Sequence, residues 1–309
     1  MYIMIKFYLP GAFELPQFNM LVFRCMMNNP EWFYDGTNVD QVYGSCPNML
    51  WNSGRVVYDL FMPIDIAKRY IETYNSIGVG VRFTFTNSEL EEKHLGDTYC
   101  NMICEYIENT ELNSVLVSSP LLEEYLRKTY PNLRIASSIT KGLKTKESII
   151  EETKRENYDC MVLPTQFNKD FEWLETIENK DKVEILLNVH CEPSCPKKSA
   201  HYKKLGQIMC NCGSGFLTTN PFPCTGYDSN FYTAREREDF CSYEDFKKFE
   251  EMGFSKFKLE GREACYDYDL YLSVIDEYAY YMVKPEYKDI FRYTILKETT
   301  TRIKENATK

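Results

Sequence analysis

The sequence lacks any long uninterrupted apolar segment. A membrane-spanning helix needs about 20 consecutive apolar residues, and no run in this chain approaches that length. The opening residues, MYIMIKFYLPGAFELP, also lack the basic segment, apolar stretch and small-residue cleavage site of a secretory signal. We therefore expect no membrane partner and a cytoplasmic location.

Basic residues and histidines are scarce. The 309 residues include 36 Lys and Arg against 46 Asp and Glu, for a formal net charge of −10, and only three histidines. Because affinity for a phosphate backbone depends on clustered cations, we do not expect a nucleic acid partner. No GxGxxG follows an early strand, and neither GxSxG nor HExxH occurs. These absences disfavour a dinucleotide site and give little support to hydrolysis.

Short strand-like segments alternate with amphipathic helical segments along the chain. Apolar residues make up 44% and aromatic residues 15%, which excludes a disordered chain. Strands that alternate with helices pair in parallel through crossover connections, and eight such units suit a closed TIM-like (β/α)8 barrel of the α/β class. An open doubly wound sheet is the alternative. The predicted strands cover residues 3–8, 41–45, 81–86, 114–119, 133–138, 160–164, 183–188 and 257–261.

Half of the twelve cysteines fall in one stretch between the last two predicted strands. This stretch is much longer than an ordinary connection in a barrel and contains several Gly and Pro residues, so it needs a cross-link. We therefore divide the chain into residues 1–190 (the first seven units), a cysteine-rich metal-binding insertion at 191–250, and 251–309 (the last unit and a polar tail expected to fray). The clustered cysteines are Cys191, Cys195, Cys210, Cys212, Cys224 and Cys241.

The spacing of these cysteines leaves the type of centre open. Without a secretory signal, clustered cysteines are more often metal ligands or reactive thiols than disulfides. Zinc sites usually show CxxC pairs, whereas Cys191 and Cys195 form a CxxxC pair followed by widely spaced single cysteines. This pattern favours an iron–sulfur cluster. Zinc and purely structural or redox-active thiols remain as alternatives.

The region from residue 239 to residue 262 resembles the C-terminal signature of the collagenase-like peptidase family (the U32 superfamily). In that family an Asp-Leu-Cys triplet precedes a helix and the strand Gly-Ile-Asp-Ser-Phe-Lys-Ile-Glu-Gly-Arg. Here Asp-Phe-Cys stands at 239–241, Gly253 follows twelve residues after the cysteine, and Phe-Lys-Leu-Glu-Gly-Arg stands at 257–262. The N-terminal half looks like a divergent, uncharacterised branch.

The resemblance implies a TIM-like barrel that in several members holds a [4Fe–4S] cluster on four cysteines. Such members hydroxylate ubiquinone precursors or RNA bases without oxygen, and others are described as peptidases. By position, Cys191 matches the first ligand and Cys241 the last, and Cys195 is a reasonable second, although its spacing is tighter than in the family. We favour Cys224 as the third because Pro221 and Pro223, which precede it, would hold it in a fixed turn, with Cys210 or Cys212 as alternatives.

Polar residues at the predicted strand exits are candidates for the remaining site, because barrel active sites form at the carboxyl ends of the strands. Arg262 can hold a carboxylate in a bidentate manner or form a local ion pair. His201 can transfer a proton or serve as a structural group, and Glu260 completes the catalytic set. The candidate substrate-binding residues are Trp51, Asn52, Arg55, Asn87, Ser137 and Asn188, although packing on the barrel rim is the more frequent role of a residue such as Trp51 and Ser137 can equally cap a helix.

We therefore expect a barrel enzyme that carries an oxygen-sensitive iron–sulfur cluster and performs a redox, hydroxylase-like modification of a small molecule or peptide. The alternatives are an accessory or binding protein with a structural metal centre, and a metal-assisted peptidase.

Overall fold

The computed structural model describes residues 4–47, 49–53, 61–211, 228, 230–261 and 268–307, with side chains up to residue 300. Arg55, Cys212, Cys224 and Arg262, which the sequence singles out, lie outside the described residues. In the described part, no helix is long and apolar enough to cross a membrane.

Eight parallel strands close into a barrel in which each strand pairs with its neighbour in the sequence and the last pairs with the first. This arrangement confirms the predicted TIM-like (β/α)8 architecture. The strands are β1 (Ile5–Pro10), β2 (Thr37–Gly44), β3 (Gly80–Phe85), β4 (Ser114–Val117), β5 (Ile135–Ser137), β6 (Met161–Val162), β7 (Val183–Leu186) and β8 (Lys256–Lys258).

Helices connect the strands and cover the outside of the barrel. Several begin at side-chain caps: Ser119, Thr145 and Ser242 each accept a hydrogen bond from a backbone N–H of the first turn. The helices are α1 (Pro16–Asn28), α2 (Ile64–Asn75), α3 (Thr98–Ile107), α4 (Pro120–Thr129), α5 (Lys146–Thr153), α6 (Phe171–Glu175), α7 (Lys198–Asn211), α8 (Phe231–Ala234), α9 (Tyr243–Glu251), α10 (Tyr268–Met282) and α11 (Lys288–Ala307).

Side chains alternate between the two faces of the barrel wall, as the period of two in a strand requires. Outward-facing Phe7 of β1 and Phe257 of β8 pack against Phe246 of α9, with ring centroids 5.9 and 4.8 Å apart, respectively. The inward-facing positions are more polar, since the guanidinium of Arg82 in β3 lies over the ring of Tyr8 in β1. The apolar core therefore lies between the wall and the helices, and the lumen holds charge.

The connection from β7 to β8 contains α7, α8 and α9 among its described residues, together with Cys191, Cys195, Cys210 and Cys241. The end of the chain differs from our expectation of a frayed tail, because α11 continues to Ala307. No Gly or Pro interrupts residues 288–307, so nothing in the sequence ends the helix earlier.

Candidate functional site

The exits of β7 and β8 are joined by a reciprocal pair of hydrogen bonds. Asn188 donates from Nδ2 to the Glu260 carbonyl at 2.9 Å and accepts from the Glu260 backbone N–H at 2.7 Å. The Glu260 carboxylate in turn accepts from the His190 backbone N–H at 2.7 Å. These bonds fix the two strand ends at the face of the barrel where active sites form.

A buried histidine–carboxylate pair lies beside this junction. His190 Nε2 is 3.0 Å from Glu277 Oε1, and the other carboxylate oxygen, Oε2, accepts from Asn188 Nδ2 at 2.7 Å. Glu277 and His190 are at most 1% exposed. Burial raises the pKa of Glu277 above its ordinary value, although His190 and Asn188 both favour the carboxylate. The imidazole and the carboxyl group are therefore paired in the protein interior.

Arg237 links this pair to the cysteine segment. Its guanidinium donates to the His190 carbonyl at 3.3 Å and forms an ion pair with Asp239. The hydrogen bond to Asp239 raises the pKa of Arg237, and Cys191 lies close enough to add to that effect. A fixed positive charge therefore stands next to both His190 and Cys191.

The lumen below the site contains an ion pair that crosses the barrel. Arg82 of β3 and Glu184 of β7 approach to 2.5 Å, and both side chains are at most 1% exposed. Burial opposes ionisation of Glu184, but the attraction of Arg82 and Lys258 outweighs it, so the pKa of Glu184 lies below the ordinary range. The lumen thus contains charged groups that remain ionised at neutral pH.

Lys258 of β8 lies next to the Arg82–Glu184 ion pair, on the side of the carboxyl end of the barrel. Its ammonium lies 3.8 Å from Glu184 Oε1 and 3.9 Å from the centroid of the Tyr43 ring. The Tyr43 hydroxyl donates to the Leu259 carbonyl at 2.5 Å. A cation held by a carboxylate and an aromatic face is stabilised in its charged form, so Lys258 helps to keep the lumen polar.

The four described cysteines of the cluster, Cys191, Cys195, Cys210 and Cys241, occupy different parts of the carboxyl-end face. Cys191 and Cys195 follow β7 and are half-buried, whereas Cys241 is fully buried. Asn168 Nδ2, which also donates to the Leu186 carbonyl, lies 3.5 Å from Cys241 Sγ. Burial raises the pKa of the Cys241 thiol to about 12, so at pH 7 it would ionise only on binding a metal.

Cys210 lies at a different place from the other three. Its sulfur is 3.4 Å from Asn87 Nδ2 and 3.4 Å from the Glu89 carbonyl, both after β3, on the opposite side of the ring of strands from β7. Among the described residues, no three His, Cys, Asp or Glu side chains form a group that could hold a metal ion. The described cysteines therefore do not make a complete metal site by themselves.

Two of the residues predicted to bind substrate face away from the lumen. Trp51 is fully buried, stacks edge-on against Phe85 at 5.2 Å and donates from Nε1 to the His94 carbonyl at 2.9 Å. The Ser137 hydroxyl donates to Glu152 on α5, outside the barrel wall. Trp51 therefore packs on the rim, as the sequence also allowed, and Ser137 has the outward phase of β5.

The other predicted residues have varied surroundings. Asn52 accepts from the Thr84 hydroxyl at 3.2 Å and is buried at the rim of the lumen. Asn87 donates to the Leu50 and Gly206 carbonyls at 2.9 and 3.2 Å, so it holds a helix in place. His201 lies on α7, with its ring stacked at 6.2 Å on that of Tyr202. Among the described candidates, the structure brings together Asn188 and Glu260.

Sequence reasoning missed several residues of this region, and two of them carried a signal. A charged residue in the middle of an otherwise apolar strand marks Arg82 in VRFTF and Glu184 in VEILL. Glu277 carried none, because it contacts His190 across 87 residues of sequence.

Comparison with known proteins agrees with this geometry at the level of fold. No family model matches the chain, and no curated protein matches it. Among solved structures, "The Structure of the U32 Peptidase Mk0906" matches with a TM-score of 0.52 and 14% sequence identity, over 84% of this chain and 93% of that one. At this identity the likeness establishes the fold alone.

Proposed function

We propose that the protein is an enzyme whose reaction takes place at the carboxyl ends of β7 and β8. The observation that carries this proposal is the buried His190–Glu277 pair, held by Asn188 at 2.7 Å and placed directly before Cys191. Burying two ionisable groups costs stability unless they are paired, and such pairs cluster at functional sites. A purely structural strand exit would not need them.

In this proposal His190 and Glu277 hold and move a proton. Glu277 orients the imidazole through Nε2, and the backbone of His190 is fixed by Glu260 and Arg237. Because the pKa of Glu277 is raised, its carboxyl can take up a proton from His190 or return one. The substrate we propose is a small molecule or a peptide, and the proposed reaction is a redox, hydroxylase-like modification.

We further propose that Cys191, Cys195, Cys224 and Cys241 hold a [4Fe–4S] cluster. Cys191 and Cys195 follow β7, and Cys241 contacts Asn168, which itself binds the last carbonyl of β7. The position of Cys210 in the last turn of α7, near β3, supports its exclusion from the ligand set. A bound cluster would supply one-electron transfer beside the histidine pair.

Metal analysis after anaerobic purification tests the cluster. We expect iron and acid-labile sulfide in near-equal amounts and a broad brown absorption band in the visible range. Cys191→Ala should lose both. Cys25→Ala is the matched control, because Cys25 is buried in α1 and should keep the full iron content. Colourless protein with stoichiometric zinc would instead support a structural metal centre in a binding or accessory protein.

The variant His190→Gln distinguishes the proposal of an enzyme from that of an accessory protein that binds a cluster. The variant should keep iron, sulfide and the melting midpoint while it loses turnover, since the proton-transferring group is removed. Loss of the cluster together with the fold would show that His190 has a structural role.

The likeness to a structure described as a U32 peptidase favours a second candidate, a metal-assisted peptidase. The His190–Glu277 pair can also act as a general base for hydrolysis. Incubation with a peptide library and several divalent metals tests it. Cleavage that disappears in His190→Gln would replace the redox proposal.

A further inference from the structure

Helix α7 extends from the exit of β7 towards the exit of β3. At its first residue, Lys198 Nζ donates to Thr165 Oγ1 at 3.3 Å and to the Pro193 carbonyl at 3.0 Å, near β6 and β7. At its other end the Gly206 carbonyl accepts from Asn87, just after β3, at 3.2 Å. Because β3 and β7 lie four places apart in a ring of eight, they are on opposite sides of the barrel. The helix therefore lies across the carboxyl-end opening.

Few side chains attach α7 to the barrel. Gly206 and Met209 are its buried residues, whereas α10, a helix of similar length, buries eight. Segments with little buried apolar surface open locally at low cost in free energy. A helix that crosses the opening with so little burial can leave the barrel without unfolding it.

Hydrogen bonds from Asn87 hold α7 near β3, and we call this contact the latch. Asn87 Nδ2 lies within hydrogen-bonding distance of the Gly206 carbonyl, the Cys210 sulfur and the Leu50 carbonyl, at 3.2, 3.4 and 2.9 Å. There is no room for a side chain at position 206, because a Cβ atom added to Gly206 would collide with Asn87 Oδ1 and approach Glu89 Cγ to 3.0 Å. Glycine is what permits this close approach.

We propose that α7 is a hinged cover of the barrel opening, fastened at the β3 end by Asn87 and Gly206. The hinge lies at the β7 end, where residues 191–197 lead into the helix. Release of Asn87 opens the path to His190, and closure separates the site from water. The role of the cover in controlling access rests on the proposed function at His190. The movement of the helix is independent of that function.

Hydrogen exchange measured peptide by peptide tests the latch. Asn87→Ala should speed exchange across 198–211 by about tenfold or more, with no change in β4 or β7, because it frees one end of the helix. Asn101→Ala is the control, since Asn101 also donates two bonds to backbone carbonyls, at 2.8 Å each, but to Leu95 and Asp97 rather than to α7. Unchanged exchange in Asn87→Ala would refute the latch.

For Gly206→Ala, a helix fastened by Asn87 and a helix that merely lies on the surface predict opposite changes in the exchange rate. Alanine favours a helix over glycine, so in a helix that merely lies on the surface it should slow exchange. In a latched helix the new methyl group collides with Asn87 and should speed exchange. Ser199→Ala, at an exposed position of the same helix, controls for helix propensity.

Chemical modification of His190 tests whether the cover controls access. The rate at which diethyl pyrocarbonate modifies His190, followed by mass spectrometry, should rise in Asn87→Ala and Gly206→Ala and stay unchanged in Ser199→Ala. A helix that opens without exposing His190 would refute the gating role. Neither result depends on the cluster or on turnover, so failure of the cover is distinguishable from failure of the proposed function.

Discussion

Arg82 and Glu184 place opposite charges in a lumen that in barrels of this type is usually filled by branched apolar side chains. Their contact of 2.5 Å is supported by Gln41 and Ser114, which bind Arg82 Nε at 2.7 and 3.1 Å. The remaining face of the guanidinium lies over Tyr8, with 4.1 Å between Arg82 Cζ and the ring centroid. The charges are therefore tolerated because nearly every donor and acceptor has a partner.

Arg82→Met should destabilise the protein strongly. Removing one partner leaves the buried Glu184 carboxylate without its main counter-ion, which costs about 3–5 kcal/mol. Urea unfolding followed by circular dichroism measures the loss. The double variant Arg82→Met/Glu184→Met should recover much of it, because two apolar side chains replace the pair. Lys247→Met, which breaks a half-exposed pair with Glu250, should leave the midpoint unchanged.

Glu277→Gln should change how stability depends on pH. The pKa of Glu277 is raised in the folded state, so between about pH 4.5 and that raised pKa the folded protein binds more protons than the unfolded chain. The stabilisation is therefore complete below the unfolded pKa and is lost as the pH rises through the folded one. Relative to that of Glu277→Gln, the free energy of unfolding of the wild type should fall by up to about 1.4 kcal/mol per pH unit in this window.

Glu184→Gln should change the pH dependence of stability in the opposite direction. Its folded pKa is lowered, so the stability it contributes is present above the unfolded pKa of about 4.3 and is lost as the pH falls through the folded pKa. The unfolding free energies of wild type and variant should converge at acid pH. A difference that is constant from pH 3 to pH 7 would contradict the depressed pKa.

At the scale of secondary-structure elements, local patterns predicted most of the barrel. The predicted strands lie within a few residues of all eight observed strands. Helix α7 was missed, and its position is set by a contact with Asn87, 119 residues away in sequence. Long-range contacts of this kind leave no local trace.

Ser119→Ala should weaken the start of α4. The Ser119 side chain accepts from the Leu122 N–H at 3.3 Å, and loss of such a cap typically costs about 1 kcal/mol. Thermal unfolding should show a small fall in the melting midpoint. Ser88→Ala is the control, because its hydroxyl binds only the neighbouring Glu89 at an exposed position. An equal effect in both variants would argue against a capping role.

For the whole molecule, the decisive feature is that β8 pairs with both β1 and β7. This closure follows from eight alternating units, which is why the architecture could be predicted without a relative of known structure. The metal ligands could not be resolved in the same way. Spacing alone does not say which side of the opening Cys210 faces, and that depends on the direction of α7.

Removal of residues 251–309 should abolish cooperative folding. It deletes β8, α10 and α11, leaves β1 and β7 with unpaired edges and removes Glu277 from His190. Open strand edges promote aggregation. We expect loss of the near-ultraviolet circular dichroism signal and elution as aggregates in size-exclusion chromatography, with recovery when the 251–309 fragment is co-expressed. A sharp melting transition of the shortened chain would contradict this view.

The ion pair between β3 and β7 also limits the ligands that the barrel can accommodate. Arg82 and Glu184 connect opposite walls of the barrel, so widening the barrel would separate two charges that are at most 1% exposed. A bulky ligand therefore cannot be accommodated by expansion of the barrel wall. In the proposed reaction, selection of the substrate by size would take place above the rim, in the space beneath α7.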